Sequence, residues 1–276
     1  MTSTRDIRNK IKTVRSIEQI CRAMKTVSSI RLRRAEQRLD RSRSYHDKLG
    51  ALVESVAAIT QAHPFLAEGR PGPTGLLVVT SDRGLCGGYN AAAMRAAFAA
   101  APPSEAVAIA VGRRGLVQFR THGYEIADQL APLGGEPEVP AVHSLADRIG
   151  QRYLDGAIGR LVVVYTKFLG GTRTEVRTDV VLPVKAAERE VEERILEPPP
   201  AEMLPGLMRR HLRSKLLSAV LESATSEHAA RVAAMTAATD NAEEMIQQLT
   251  LEYNKARQSA ITKELIEIVS AAGAAA

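Results

Sequence analysis

Apolar residues recur at alternating spacings of three and four along the last seventy residues of the chain. Neither proline nor glycine occurs between residues 207 and 272, so the two strongest helix breakers are absent there. A narrow apolar stripe with this spacing is typical of a helix that packs along a second helix. The predicted seam comprises Leu217, Leu221, Ala224, Met235, Ala238, Ala242, Met245, Leu249, Tyr253, Ala256 and Ala260.

The N-terminal residues show the same pattern. Residues 1–63 contain no proline and a single glycine, Gly50. A long helix cannot bury such a stripe by itself, so we predict that the two ends of the chain pair as a long antiparallel two-helix coiled coil. The N-terminal seam comprises Ile7, Ile11, Val14, Ile17, Cys21, Met24, Leu32, Ala35, Leu39, Leu49, Leu52, Val56 and Ile59.

The middle of the chain has a different pattern and holds all 13 prolines. Short continuous apolar runs indicate buried strands at 76–80, 107–111 and 161–166, and alternation at 174–182 indicates an edge strand. Helix-like segments separate the strands, which favours a central open α/β domain of Rossmann-like type. The predicted domains are residues 1–63, 64–205 and 206–276, with the charged and proline-rich stretch 188–205 as a tether to the last helix.

The charge is uneven. The chain carries a net charge of +6, yet residues 1–48 hold 14 Lys or Arg and 5 Asp or Glu, a balance of +9. Such an arm fits an acidic protein surface, or a coiled-coil adaptor that binds nucleic acid or an anionic membrane, or simply a solvated helix face. No aromatic residues interleave with the basic ones, which disfavours nucleic acid. The sequence contains no apolar run of 18 residues and no secretory signal.

A glycine-rich segment, Ser81–Asn90, directly follows the first predicted strand. Glycines at such a turn can cradle phosphate, but neither G-x-G-x-x-G nor G-x-x-x-x-G-K occurs, so a tight structural turn is favoured. Cys86 shares the domain with His122 and His143, which leaves open an enzyme with a Cys/His pair, although no motif supports it. Two cysteines form neither a disulfide framework nor a metal set, and a reducing compartment is expected.

Three segments together closely resemble the gamma subunits of rotary ATP synthases, and the resemblance covers essentially the whole chain. Small departures, such as Cys21 where the family usually has threonine, concern local packing. The matching segments are Arg5–Ile11 with Ile20–Lys25, Thr80–Asn90, and Ser226–Arg231 with Ala238–Ala242, Tyr253–Gln258, Ile261, Thr262, Glu264 and Leu265.

This resemblance implies a non-catalytic central rotor shaft with no cofactor and no metal. The expected partners are a hexamer of alpha and beta subunits, an epsilon subunit and the membrane c-ring, with one copy of the chain per complex. The expected location is peripheral, on the cytoplasmic face of a bacterial membrane. By resemblance, Met24 and Lys25 face an acidic lever of the beta subunit, Arg257 and Gln258 hydrogen-bond a beta-subunit loop, and Cys86 lies near epsilon. The apolar tip formed by Ile261, Leu265, Ile268 and Val269 is expected to turn in an apolar sleeve.

Overall fold

The computed structural model describes residues 4–60, 63–133, 136–184 and 199–274. Two long helices, α1 (Thr4–Ile59) and α5 (Pro200–Ala274), flank a mixed five-stranded sheet, which confirms the predicted fold class. The chain divides into two compact units, one of residues 28–231 and one of residues 1–27 with 232–276. Among the described residues, no helix has the length and apolarity needed to cross a membrane.

The sheet lies in the unit of residues 28–231 and has the strand order β3-β2-β1-β4-β5. Strands β3, β2, β1 and β4 are parallel to one another. Strand β5 runs antiparallel to β4 at the edge, where alternation in the sequence predicts an edge strand. The strands are β1 (Thr74–Val79), β2 (Ala106–Val111), β3 (Glu125–Leu130), β4 (Arg160–Gly170) and β5 (Arg173–Leu182), and the helices between them are α2 (Tyr89–Ala100), α3 (Arg113–Thr121) and α4 (Val139–Leu154).

The continuous apolar runs form strands that are covered on both faces. Leu77 is in register with Ile109 and Val163, and these side chains share a core with α4 and with buried residues of α1 and α5. Their neighbours Leu76 and Val78 point to the other face, where they pack with residues of α2 and α3. Each face therefore has its own core, as the period of two along a strand requires.

In the unit of residues 28–231, α1 and α5 pack against each other in antiparallel directions. His46 Nδ1 lies 2.9 Å from Ser214 Oγ, and the Arg43 guanidinium lies 3.6 Å from the Glu222 carboxylate, so rising numbers in α1 meet falling numbers in α5. Leu39 is fully buried in a cluster with residues of α5 and β4. The predicted antiparallel pairing is confirmed in this unit.

In the other unit, the same two helices are joined by an ion pair of 2.7 Å between Arg22 and Glu243. Ile7, Cys21, Met235 and Ala242 are the buried apolar residues of this unit among those that the structure describes.

Several predicted seam positions are wrong by one residue. Most buried and half-buried positions of α1 follow a seven-residue repeat that includes polar residues such as Glu18, Ser28, Ser42 and His46. The prediction followed apolar residues. Where the true seam residue is polar, or where two apolar residues are adjacent, it therefore selected the residue next to the true seam position. The exposed residues that were predicted in the seam are Ile17, Leu52 and Ile59 in α1, and Met245 and Ala260 in α5, with Val53 and Ile246 buried more deeply than the neighbours chosen.

The predicted tether also ends earlier than expected. Helix α5 begins at Pro200 and contains Pro205 as its sixth residue, where proline removes one backbone hydrogen bond of the helix. Leu204 and Met208 are buried in the main core, which explains why the helix already forms here. Residues 188–198 of the tether lie outside the described residues. The domain limits at residues 63 and 205 stay a prediction.

Candidate functional site

The candidate site lies at the carboxyl ends of β1 and β4. The connections from β1 lead through β2 to β3 on one side, whereas β4 lies on the other side of β1, so the strand order reverses here. In open α/β sheets this crevice is the usual place for a ligand. The glycine-rich segment Ser81–Asn90 forms one wall of the crevice, because it leads from β1 into α2.

The polar groups of this segment bond mostly to one another. The backbone N–H of Ser81 donates to Asn90 Oδ1 at 2.9 Å, and Asn90 Nδ2 donates to Cys86 Sγ at 3.3 Å. The Asp82 carboxylate accepts from the backbone N–H groups of Arg113 at 3.1 Å and Leu133 at 2.7 Å. These bonds hold a tight structural turn and leave the alternative of a phosphate cradle without support.

Two residues of the turn have a left-handed backbone. Gly87 has a φ of 57°, which costs glycine little, but Leu85 has a φ of 62°, which is strained for a residue with a side chain. The Leu85 side chain is exposed, whereas Ser81, Asp82 and Cys86 of the same turn are held by the hydrogen bonds above. The fold therefore fixes this turn rigidly despite the local strain.

Helix α5 fills the crevice with polar side chains. Ser223 Oγ accepts from the backbone N–H of Thr166 at 3.0 Å, and Ser226 Oγ donates to the Thr166 carbonyl at 3.0 Å. The Glu222 carboxylate accepts from the backbone N–H of Phe168 at 2.7 Å. We call Glu222, Ser223 and Ser226 the clamp. All three are buried, and Ser223 and Ser226 are completely so.

The clamp satisfies a strand edge that β1 does not cover. The pairing of β1 with β4 ends at Val78 and Val164, yet β4 continues to Gly170. On that edge, side chains of a helix take the place of a neighbouring strand. An unpaired backbone N–H in such a buried position would cost about 1–3 kcal/mol, so each clamp bond matters for stability.

Two more contacts attach α5 to the turn. The Tyr89 hydroxyl, on the first residue of α2, donates to the Ser223 carbonyl at 3.1 Å. Arg231 forms an ion pair of 2.7 Å with Glu227 and reaches the Gly84 carbonyl at 3.4 Å. Burial raises the pKa of the Glu227 carboxyl, and the Arg231 guanidinium opposes this shift. Polar contacts thus fasten α5 to the sheet over about three helical turns.

The alternative of a Cys/His enzyme gains no support. The Cys86 thiol is buried, and its hydrogen-bond neighbours are Ser81, Asn90 and the Arg83 carbonyl, with no histidine among them. Among the described residues, no cluster of three or more His, Cys, Asp or Glu side chains is suited to hold a metal ion.

The predicted partner-contact residues lie in the unit of residues 1–27 and 232–276, apart from Cys86. Met24 and Lys25 are half-buried on α1, whereas Arg257 and Gln258 are exposed on α5. The side chains of the apolar tip are between 49% and 70% exposed. No structural observation tests the roles predicted for these residues. The tip comprises Ile261, Leu265, Ile268 and Val269.

The clamp was missed by sequence reasoning. A signal exists, since the segment Glu222–Ser226 places a carboxylate and three hydroxyls within five consecutive residues of the helix. Buried hydroxyls in a helix need acceptors or donors outside their own apolar surroundings, and a strand edge supplies both. A prediction based on apolar periodicity does not select such polar residues.

Comparisons with known proteins agree along the whole chain. A sequence model of the ATP synthase family matches residues 3–275. The ATP synthase gamma chain of Chlorobaculum tepidum is 37% identical over 99% of both chains. Those of Pelotomaculum thermopropionicum and Laribacter hongkongensis are 36% and 38% identical, again over 99% of this chain.

Solved structures show the same fold at lower identity. The rotor of the Euglena gracilis mitochondrial ATP synthase contains a chain that is 20% identical, with a TM-score of 0.70 over 94% of this chain and 98% of that one. A chain in the central stalk and c-ring structure of the Tetrahymena thermophila mitochondrial enzyme has a TM-score of 0.62 over 79% of this chain. The full-length match to curated relatives, with the fold and a crevice closed by its own helix, leads to one conclusion: the chain belongs to the ATP synthase gamma chain family.

Proposed function

We propose that this chain is the central rotor shaft of an ATP synthase, which couples ion flow through a membrane c-ring to ATP synthesis or hydrolysis in a hexamer of alpha and beta subunits. The observation that carries the proposal is the match to gamma chains over 99% of this chain and of its relatives. The gamma subunit is a non-catalytic stalk subunit, and the catalytic sites belong to the beta subunits. No observation favours the nucleic-acid or membrane adaptor as a second function.

The clamp explains how the α/β unit would transmit torque. A load on the sheet reaches α5 through the buried bonds of Glu222, Ser223 and Ser226 and through the Arg231 contacts. Helix α5 continues without interruption to Ala274, so its backbone carries the load onward. Side-chain bonds to a strand edge have fixed directions, which suits a joint that must not slip.

The shaft would act on its partners by differential contact. A pair of helices has no threefold symmetry, so inside a ring of three catalytic sites it presents a different face to each site. Rotation then exchanges the contacts, and each site changes its conformation and its affinity as the contacts change. The chain itself needs no reactive group for this work.

The predicted contact residues are assigned to partners within this proposal. Met24 and Lys25 face an acidic lever of the beta subunit, and Arg257 and Gln258 hydrogen-bond a beta-subunit loop. The apolar tip turns in an apolar sleeve of the hexamer. Within the proposal, the turn that contains Cys86 lies near epsilon. The Cys86 thiol itself is buried, and the Leu85 side chain beside it is exposed. The high exposure of the tip supports this assignment, since an apolar surface of this kind is typical of an interface.

The location proposed for the chain is peripheral, on the cytoplasmic face of a bacterial membrane, with attachment through the c-ring and epsilon. Membership of the family supports attachment to a membrane-bound complex. The basic balance of residues 1–48 supports contacts with acidic surfaces of the partners.

The composition of the complex tests the function. We expect the tagged chain to co-purify as one copy with three alpha and three beta subunits, and we expect no ATPase activity from the purified chain alone. Native mass spectrometry gives the stoichiometry. A different copy number, or turnover by the chain that persists after rigorous purification, would contradict the proposal.

The contact at Met24 is tested by Met24→Lys in the assembled, membrane-bound enzyme. The added cation should grip the acidic lever too strongly, so that ATP hydrolysis continues while fewer protons are pumped per ATP. The matched control is Thr26→Lys, which adds the same charge at an exposed position about 200° away around the helix. Proton pumping is followed by quenching of a pH-sensitive dye. If Met24→Lys pumps as many protons per ATP as the wild type, the assignment of Met24 is contradicted.

A further inference from the structure

A cavity of about 350 Å³ opens between α1, α4 and α5 in the unit of residues 28–231, away from the clamp. Its lining includes two guanidinium groups, from Arg210 and Arg213, and two imidazoles, from His46 and His143. No carboxylate is among the residues that line it in the described part of the chain. The lining therefore combines two guanidinium and two imidazole groups, and the Asp147 carboxylate lies just behind it, where it pairs with Arg213.

Two of the lining groups are held in place by other residues. The Arg213 guanidinium donates from Nε to the Asp147 carboxylate at 2.8 Å, which fixes Arg213 against α4. The Ser214 hydroxyl lies 2.9 Å from His46 Nδ1. When that hydroxyl donates, the ring proton of His46 is on Nε2, and Nε2 is a donor.

Other donors at the rim have no partner. Within the described residues, no hydrogen bond or ion pair reaches His46 Nε2, the His143 ring or the Arg210 guanidinium. The Arg210 guanidinium of α5 and the His143 ring of α4 thus bring unpaired polar groups to one cavity, and His46 of α1 adds a donor when its ring proton is on Nε2. Planar guanidinium groups with imidazole and hydroxyl donors are the groups that recognise phosphate oxygens.

The remaining wall is apolar. The ring of Tyr45 and the side chain of Leu217 line the cavity beside the donors. A bare inorganic ion would leave this wall in contact with water, whereas a phosphate with a small organic substituent would cover it. The volume is within the range of small-molecule sites.

We propose that this cavity is a binding site for a phosphate monoester or diester, with Arg210 and His143 as ligands of the phosphate and Tyr45 against the organic part. The phosphate can belong to a free organic phosphate or to a phospholipid headgroup, since both present the same oxygens. The site is separate from the torque-bearing contacts, so the proposal does not depend on the rotor function.

The test is a titration of the full-length chain at low ionic strength with phenyl phosphate, followed by calorimetry and by NMR of the histidine rings. We expect one site per chain and shifted ring signals of His46 and His143. Arg210→Gln should weaken binding at least about tenfold, because it removes a charge-assisted contact. Arg209→Gln is the matched control, since Arg209 is also exposed on α5 but lines a different cavity. That variant should change binding less than about threefold.

A second arm distinguishes the source of the phosphate. Vesicles of phosphatidylcholine with and without phosphatidylglycerol are sedimented with the wild type and both variants. Arg210-dependent binding of phenyl phosphate assigns a free organic phosphate, and Arg210-dependent binding of anionic vesicles alone assigns a lipid headgroup. The proposal is overturned if neither probe binds, or if Arg209→Gln weakens binding as much as Arg210→Gln. Should Arg210→Gln fail to fold, His143→Gln replaces it with the same expected outcomes.

Discussion

Helix α5 has two environments along its length. Between Leu204 and Arg231 it is buried on most sides, and even its polar residues Glu222, Ser223 and His228 are enclosed. Between residues 232 and 269, the side chains that the structure describes are buried only along a stripe, and large apolar ones such as Leu251 and Ile266 are exposed. The same backbone is thus fastened within its own chain in one unit and offered to other surfaces in the other unit. Burial of polar groups characterises the part that is fastened, whereas the other part has exposed apolar groups, which are typical of an interface.

The two units should differ most in how much stability is lost when an apolar residue of α1 is replaced. Leu39→Ala removes a side chain that is 1% exposed and should lower the free energy of unfolding by about 3 kcal/mol, because a cavity remains against α5 and β4. Ile17→Ala, at a position 50% exposed, should cost less than about 1 kcal/mol. Urea unfolding of the full-length chain, followed by circular dichroism, measures both. Equal costs would show that the exposed stripe is as tightly packed as the seam.

A pH dependence should follow from the buried His211, with a somewhat smaller effect. Burial, Lys215 and His46 lower the pKa of His211 from 6.5 to about 4. The unfolded chain then binds a proton that the folded chain rejects, so this contribution to stability is complete above pH 6.5. It is lost as the pH falls from 6.5 to about 4, by up to about 3 kcal/mol at 1.36 kcal/mol per unit.

The variant His211→Gln isolates this contribution. Burial raises the pKa of the Glu227 carboxyl, which acts in the opposite sense, because the folded state then binds the proton more readily as the pH falls. The difference between wild type and His211→Gln removes this opposing effect. Urea unfolding at several pH values between 4 and 7 should give a shallower loss of stability for the variant. Parallel curves would contradict the assignment to His211.

The smallest of the three effects concerns two glutamates of α5. Glu222→Ala leaves the buried N–H of Phe168 without its acceptor and should cost about 2 kcal/mol, whereas Glu222→Gln keeps an acceptor and should recover most of that loss. Glu243→Ala breaks an exposed pair with Arg22 and should cost less than about 1 kcal/mol. Hydrogen exchange of the Phe168 amide should accelerate in Glu222→Ala only. An unchanged exchange rate of the Phe168 amide in Glu222→Ala would contradict the role of Glu222 in fastening α5 to β4.

The long helices and the sheet are predictable because their signals are repeated many times. Prolines are absent from residues 1–63 and from residues after 205, and each buried strand is a run of apolar residues bounded by turn residues. Such patterns depend on local geometry alone. The start of α5 at Pro200 is less predictable, since the burial of Leu204 and Met208 outweighs the prolines there.

The seam and the clamp are harder to predict because polar residues take part in them. At Glu18 and His46 the helix pair buries part of a polar side chain, so an apolar pattern shifts the predicted seam to a neighbour. The clamp depends on a strand edge about 60 residues away in the chain, which no local pattern shows. The partner contacts at Met24, Lys25, Arg257 and Gln258 depend on other chains and stay predictions.

The polar seam of α1 has a consequence for alignment. A seam of uniform leucines could slide by one heptad at small cost, because every layer would meet an equivalent layer. Here a slide of seven residues would separate His46 from Ser214 and Arg43 from Glu222, and would bring polar groups against apolar ones. Because these mismatched layers cost energy, one axial register of the two helices is favoured. The length of the helix pair would therefore stay constant under torsion.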